Sequence, residues 1–137
     1  MDKLIKITPN KEKAKSILKM VESTLDMIRS INLEKFSSNA TKEYYEVIRE
    51  LITIVLLLDG YKTFGEGAHK NLIEYLKSNY SELNDSQIAL IDDLRIIRNK
   101  ISYDGFFVTQ DYLKRKLKYI EDIILKLKKI VLSKLED

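Results

Sequence analysis

Apolar residues recur at spacings of three and four along five separate stretches, the spacing that lines one face of an α-helix. In the first stretch Ala14, Ile17, Leu18, Val21, Leu25 and Ile28 predict an amphipathic helix running to about Ile31. Asn10 is its candidate cap, and Pro9 blocks backward extension. The second helix opens at Ser38, Asn39 or Thr41 and stops at Asp59 before Gly60, a natural C-terminal residue. Its first half is amphipathic through Tyr44, Val47, Ile48 and Leu51, whereas Leu51 to Leu58 is apolar nearly all round. That predicts either a central helix with neighbours on several sides or one that also serves a dimer interface. A short third helix passes through Leu72, Ile73 and Leu76 and ends near Asn79. The fourth begins at Asn84, with Gln87 as a capping-box partner, and ends at Asp104-Gly105. The fifth, capped by Thr109, carries Leu113, Leu117, Ile120, Ile124, Leu127 and Val131 as a heptad-like seam.

Five helices with short connections predict an all-α fold, an antiparallel four- to five-helix bundle. It forms one domain over residues 10–137, preceded by an N-terminal arm over residues 1–9. Leu4-Ile5-Lys6-Ile7 alternates in the manner of a short strand, but the arm is the reading adopted. Tyr61 to Ala68 reads as a loop with Gly65 and Gly67. It has no preceding predicted strand and no Gly-Lys-Ser/Thr ending, which excludes a P-loop.

Composition narrows the chemistry. The chain has no Cys and a single His, which excludes disulfides, cysteine-built metal sites and a histidine-rich metal site. No metal and no cofactor are expected. The start of the chain lacks a signal-peptide apolar region, and the longest apolar run is far too short to span a bilayer, so a cytoplasmic protein without membrane contact is expected. The net charge of +3 lies wholly in residues 109–137, which carry 8 basic and 5 acidic residues. Lys114, Arg115, Lys118, Lys126, Lys128 and Lys129 lie mostly opposite the seam, either as a solvated face or as a surface that tracks phosphates.

One charge is out of place. With Ile88 at 0° on the helical wheel, Ile91, Leu94, Ile97 and Ile101 fall at about 300°, 240°, 180° and 220°, and Arg98 at about 280° among them. A guanidinium cannot shed its charge and is costly to bury alone. Either Glu46 or Glu50 pairs with it inside the fold, or it lines a cleft as an anion clamp with Arg95 on its flank. Asn99 is placed to orient it. Tyr103 sits near the helix end, where side chains reach ligands, or packs its ring with its hydroxyl wet. His69, in the glycine-bearing loop, is structural or solvent-exposed unless the fold brings it to Arg98.

Arg98-Asn99-Lys100-Ile101-Ser102-Tyr103, late in the penultimate long helix and followed by a long last helix, resembles the motif of the HEPN (higher eukaryotes and prokaryotes nucleotide-binding) domain family. Tyr44 to Tyr61 is similar to that family's second helix, and the likeness runs from about Lys11 onward. The resemblance implies a helical bundle that dimerises. It implies binding of a nucleotide or RNA phosphate by Arg95, Arg98, Asn99, Tyr103 and His69. Many members are metal-independent endoribonucleases, often of toxin–antitoxin systems, and others are non-catalytic partners of a minimal nucleotidyltransferase. The family's motif has His where this chain has Tyr103, so Arg98 and Tyr103 as a catalytic pair imply weak or no cleavage. A tyrosine of pKa about 10 is ionised only about one part in a thousand at pH 7 and is a poor base.

Overall fold

The computed structural model describes residues 3–137. In chain order it contains β1 (Leu4–Lys6), α1 (Lys11–Ser30), α2 (Ser37–Asp59), β2 (Tyr61–Thr63), α3 (Ala68–Asn79), α4 (Asp85–Asp104) and α5 (Gln110–Glu136). It is an all-α bundle with one very small sheet, as the periodicity predicts.

The predicted caps set the starts of α1, α4 and α5, but α2 starts at Ser37 after Phe36, with no side-chain cap, rather than at Ser38, Asn39 or Thr41. The Asn10 side chain accepts from Lys13 N, and the Thr109 side chain accepts from Tyr112 N. Asn84 and Gln87 form a complete capping box, each side chain accepting from the other residue's backbone N–H. Gly60 ends α2 with φ 89°, in the left-handed region that favours glycine.

The N-terminal arm is corrected here: Leu4–Lys6 is a strand, antiparallel to Tyr61–Thr63, with Ile5 opposite Lys62. Tyr61–Thr63 likewise leaves the predicted loop and becomes the second strand. The left-handed turn at Gly60 sends the chain back along β1, and Ile7 N donates to Gly60 O at 2.9 Å. The alternation Leu4-Ile5-Lys6-Ile7 was thus a genuine strand signal.

α2 is the axis of the bundle. It packs against α1, α3, α4 and α5, and Leu51, Ile52, Ile54, Val55 and Leu56 are all at most 1 % exposed. Its apolar second half is therefore consumed within the chain. The α5 seam is consumed too: Leu113, Ile120, Ile124, Leu127 and Val131 are buried, with α5 lying along α2. The lysines of α5 also divide. Lys126 donates to Glu82 O and Gln87 Oε1, and Lys128 pairs with Glu22, which leaves a thinner basic face. No described helix is long and apolar enough to cross a membrane.

α4 behaves differently along its length. Ile88, Leu90, Ile91 and Leu94 are buried, but no residue from Arg95 to Asp104 is. The isoleucine stripe that surrounds Arg98 on the wheel therefore runs off the core, with Ile97 and Ile101 half-buried. Arg98 sits where the stripe meets solvent.

Candidate functional site

Two polar ridges face each other across α2 and α4. On α2, Glu46, Arg49, Glu50 and Thr53 follow three- and four-residue spacing and so share a face. On α4 the same spacing aligns Asp92, Arg95, Arg98 and Asn99. The ridges meet at Glu46. Arg98 Nε donates to Glu46 Oε1 at 2.9 Å, with both side chains 21 % exposed. Arg49 donates to the other oxygen, Oε2, through Nη2 at 2.7 Å and Nε at 3.1 Å. Arg49 Nη2 also reaches Glu50 at 2.7 Å. One carboxylate thus holds two guanidiniums from two helices.

Glu46, rather than Glu50, is the partner of Arg98, so the ion-pair alternative is realised. The pair does not exhaust the guanidinium. Arg98 Nη1 donates to Asn99 Oδ1 at 3.4 Å, and among the described residues Nη2 has no partner. Arg95 follows the same plan: its Nε donates to Asp92 Oδ1 at 2.8 Å, and its two terminal nitrogens have no described partner. Both arginines are anchored through Nε and present their outer edge.

His69 joins this neighbourhood. It stands in the first turn of α3, half-buried, with its ring tilted against that of Tyr45 at a centroid distance of 6.4 Å. Burial pushes its imidazole below the ordinary range, and the charges of Arg49, Arg98 and Arg95 push the same way against Glu46. Burial also drives the Tyr45 phenol up to about 12, opposed by Arg49 and abetted by Glu46. The Glu46 carboxyl is pushed up by burial but ends below its ordinary 4.5, because the hydrogen bonds and charges of Arg49 and Arg98 more than offset that cost.

Among the residues expected from sequence, Arg95, Arg98, Asn99 and His69 are brought into one region. Tyr103 is not joined to them by any described contact: it is 78 % exposed in the last turn of α4. Five residues along a helix turn a side chain by about 140° relative to Arg98, which accounts for the separation. Arg49 and Tyr45 were missed. Their signal was a short polar stripe, Glu46 to Thr53, on an otherwise apolar helix. Among the described residues no group of three His, Asp or Glu side chains is arranged to hold a metal ion.

No protein-family model matches this chain, and no curated protein matches it significantly.

Proposed function

We propose that this is a HEPN-like helical protein that binds a nucleotide or RNA phosphate on the Arg95–Arg98–Asn99 ridge. The observation that carries this reading is the double anchoring of the arginines through Nε, which leaves two planar donor edges three residues apart on one helix face. A purely structural pairing would favour engagement of the terminal nitrogens as well. Glu46 and Asp92 already offset much of the local charge, so the incoming phosphate competes with a carboxylate and the affinity is moderate. Arg98→Ala is expected to weaken binding of a short single-stranded RNA about tenfold, roughly 1.4 kcal/mol, and to lower the salt slope by about one contact. Equal RNA binding by wild type and Arg98→Ala, measured by fluorescence anisotropy across a salt series, removes the clamp.

A second reading, the metal-independent endoribonuclease, is favoured by the position of His69. A neutral imidazole among three guanidiniums is a better proton acceptor than the exposed Tyr103 phenol, and the arginines would face the developing phosphorane charge. In chelator-treated buffer this reading requires cleavage that His69→Ala abolishes and Tyr103→Phe retains. No cleavage by the pure protein, or equal cleavage by both variants, ends it.

For the homodimer that the resemblance implies, α4, the helix that carries the motif, offers an exposed face, whereas the apolar half of α2 and the α5 seam are consumed in the core. Ile96, Tyr103, Phe106 and Phe107 are 40 %, 78 %, 47 % and 83 % exposed around the unburied half of α4, an apolar cluster of the kind that marks an interface. A second copy packed there about a two-fold axis would set two arginine ridges side by side. Light scattering at micromolar concentration is expected to give a dimer mass that Phe106→Ser/Phe107→Ser halves. A monomer mass for the wild type refutes the dimer.

A further inference from the structure

A second group of basic side chains lines a cleft beside the α4 ridge, sharing Arg49 and His69 with that neighbourhood. The cleft between α1, α2, β2 and the start of α3 encloses about 310 Å³. Four elements each send one basic side chain to its wall: Lys13 from α1, Arg49 from α2, Lys62 from β2 and His69 from α3. No carboxylate is among the described residues that line it. The acids of this face, Glu43, Glu46 and Glu50, line the adjoining groove further along α1 and α2. Neither Lys13 nor Lys62 has a carboxylate partner among the described residues.

Lys13 and Lys62 bring uncompensated charge to this volume, whereas Arg49 is already held by Glu46 and Glu50. His69 stands by as a neutral imidazole donor. An anion inside relieves the two lysines. The floor is apolar, made by Ile17, Leu56 and Leu72, while Tyr61 and Thr63 add hydroxyls at the wall. Such a site grips an anionic group at the rim and an apolar body below. At about 30 Å³ per water, the space equals roughly ten waters, enough for a phosphate and a single ring but not for a folded polymer. A phosphomonoester is close to a dianion at pH 7, with a second pKa of about 6, and so satisfies several cations where a carboxylate satisfies fewer.

We propose that this cleft is a binding site for a small phosphomonoester carried on a ring or a short apolar chain. Arg98, Arg95 and Asn99 do not line it, but it adjoins their ridge through Arg49, His69 and Glu46, which holds Arg49 and Arg98 together. The site stands whether or not the ridge binds RNA.

The probe is phenyl phosphate, titrated into the full chain and followed by amide and imidazole NMR signals, with inorganic phosphate and phenol as separate arms. Saturable shifts at Lys62, Thr63 and His69 are expected, with phenyl phosphate the tightest of the three. Lys13→Ala/Lys62→Ala changes two exposed side chains and leaves the core intact. It should weaken phenyl phosphate about tenfold, whereas Arg98→Ala should leave it within roughly threefold. The proposal is overturned by equal affinity in the double lysine variant, by phenol matching phenyl phosphate, by shifts confined to the α4 ridge, or by no saturation at about 10 mM ligand.

Discussion

Glu46→Ala is expected to lower the unfolding free energy by about 3 kcal/mol, near the low end for breaking a buried ion pair because the groups keep a fifth of their exposure. The loss arises from what is left behind. Arg49 retains Glu50, but Arg98 retains only the weak contact to Asn99. A half-buried guanidinium without a counter-charge is the costly species, so most of the destabilisation resides on α4. The same substitution should strengthen anion binding, because the phosphate no longer competes with a carboxylate for Arg98. Inorganic phosphate at about four times its Kd should therefore return about 1 kcal/mol of stability to Glu46→Ala and less to wild type. Urea denaturation with and without phosphate separates the cases. If phosphate stabilises both proteins equally, Glu46 is only a structural tie and the ridge is not an anion site. Repeating the experiment in an Arg98→Ala background should abolish the difference.

The helices were legible where a period and a punctuation mark coincide, which was not so at the uncapped starts of α2 and α3. Asn10, Asn84 with Gln87, Thr109, Gly60 and Gly105 bound their helices as expected, since caps act through contacts within a few residues. The strand pair was harder. Leu4–Lys6 gains its hydrogen bonds from Tyr61–Thr63, more than fifty residues away, and three residues hold too little pattern to announce a distant partner. At the site, the misplaced arginine could be read from the wheel, and Glu46 was one of two partners at the right helical level. What the pattern could not supply was how far the α4 stripe stays covered. The wheel gives direction but not the length of the neighbour, so Ile97 and Ile101 looked like core and lie at its edge. His69 entered the arginine neighbourhood by the path of β2 and α3. That is a tertiary fact with no local trace.

Asp59 offers the other large effect, and it was silent in the sequence except as the residue before Gly60. Its carboxylate accepts from the hydroxyls of Tyr75 at 2.7 Å and Tyr80 at 2.6 Å, and it pairs with Lys134 from the last turns of α5. Three helices and the α3–α4 connection are thereby tied at one end of the bundle. Asp59→Ala should cost about 3 kcal/mol, since charge-assisted bonds contribute about 1.5–3 each and Lys134, a quarter exposed, partly recovers its hydration. Asp59→Asn should cost less, because its carbonyl still accepts from a tyrosine. Burial pushes the Asp59 carboxyl up, but the hydrogen bonds from Lys134, Tyr80 and Tyr75 bring it below its ordinary 3.8. A depressed carboxyl stabilises the fold above the unfolded pKa, and that contribution fades as pH falls through the lower folded value. Wild-type stability should therefore fall below about pH 4, with Glu46 adding its own share on the same acid limb. The alkaline side has the opposite origin. Burial and the bond to Asp59 push the Tyr75 and Tyr80 phenols up, so the folded chain holds protons that the unfolded chain releases above about pH 10, and stability declines there. In Asp59→Asn the acid limb should keep only its Glu46 part, and the alkaline limb should flatten only in part, because burial still raises Tyr75, Tyr80 and Tyr45. A variant whose urea midpoint tracks pH with the wild-type shape would mean that the tyrosine–lysine knot contributes no net charge stabilisation.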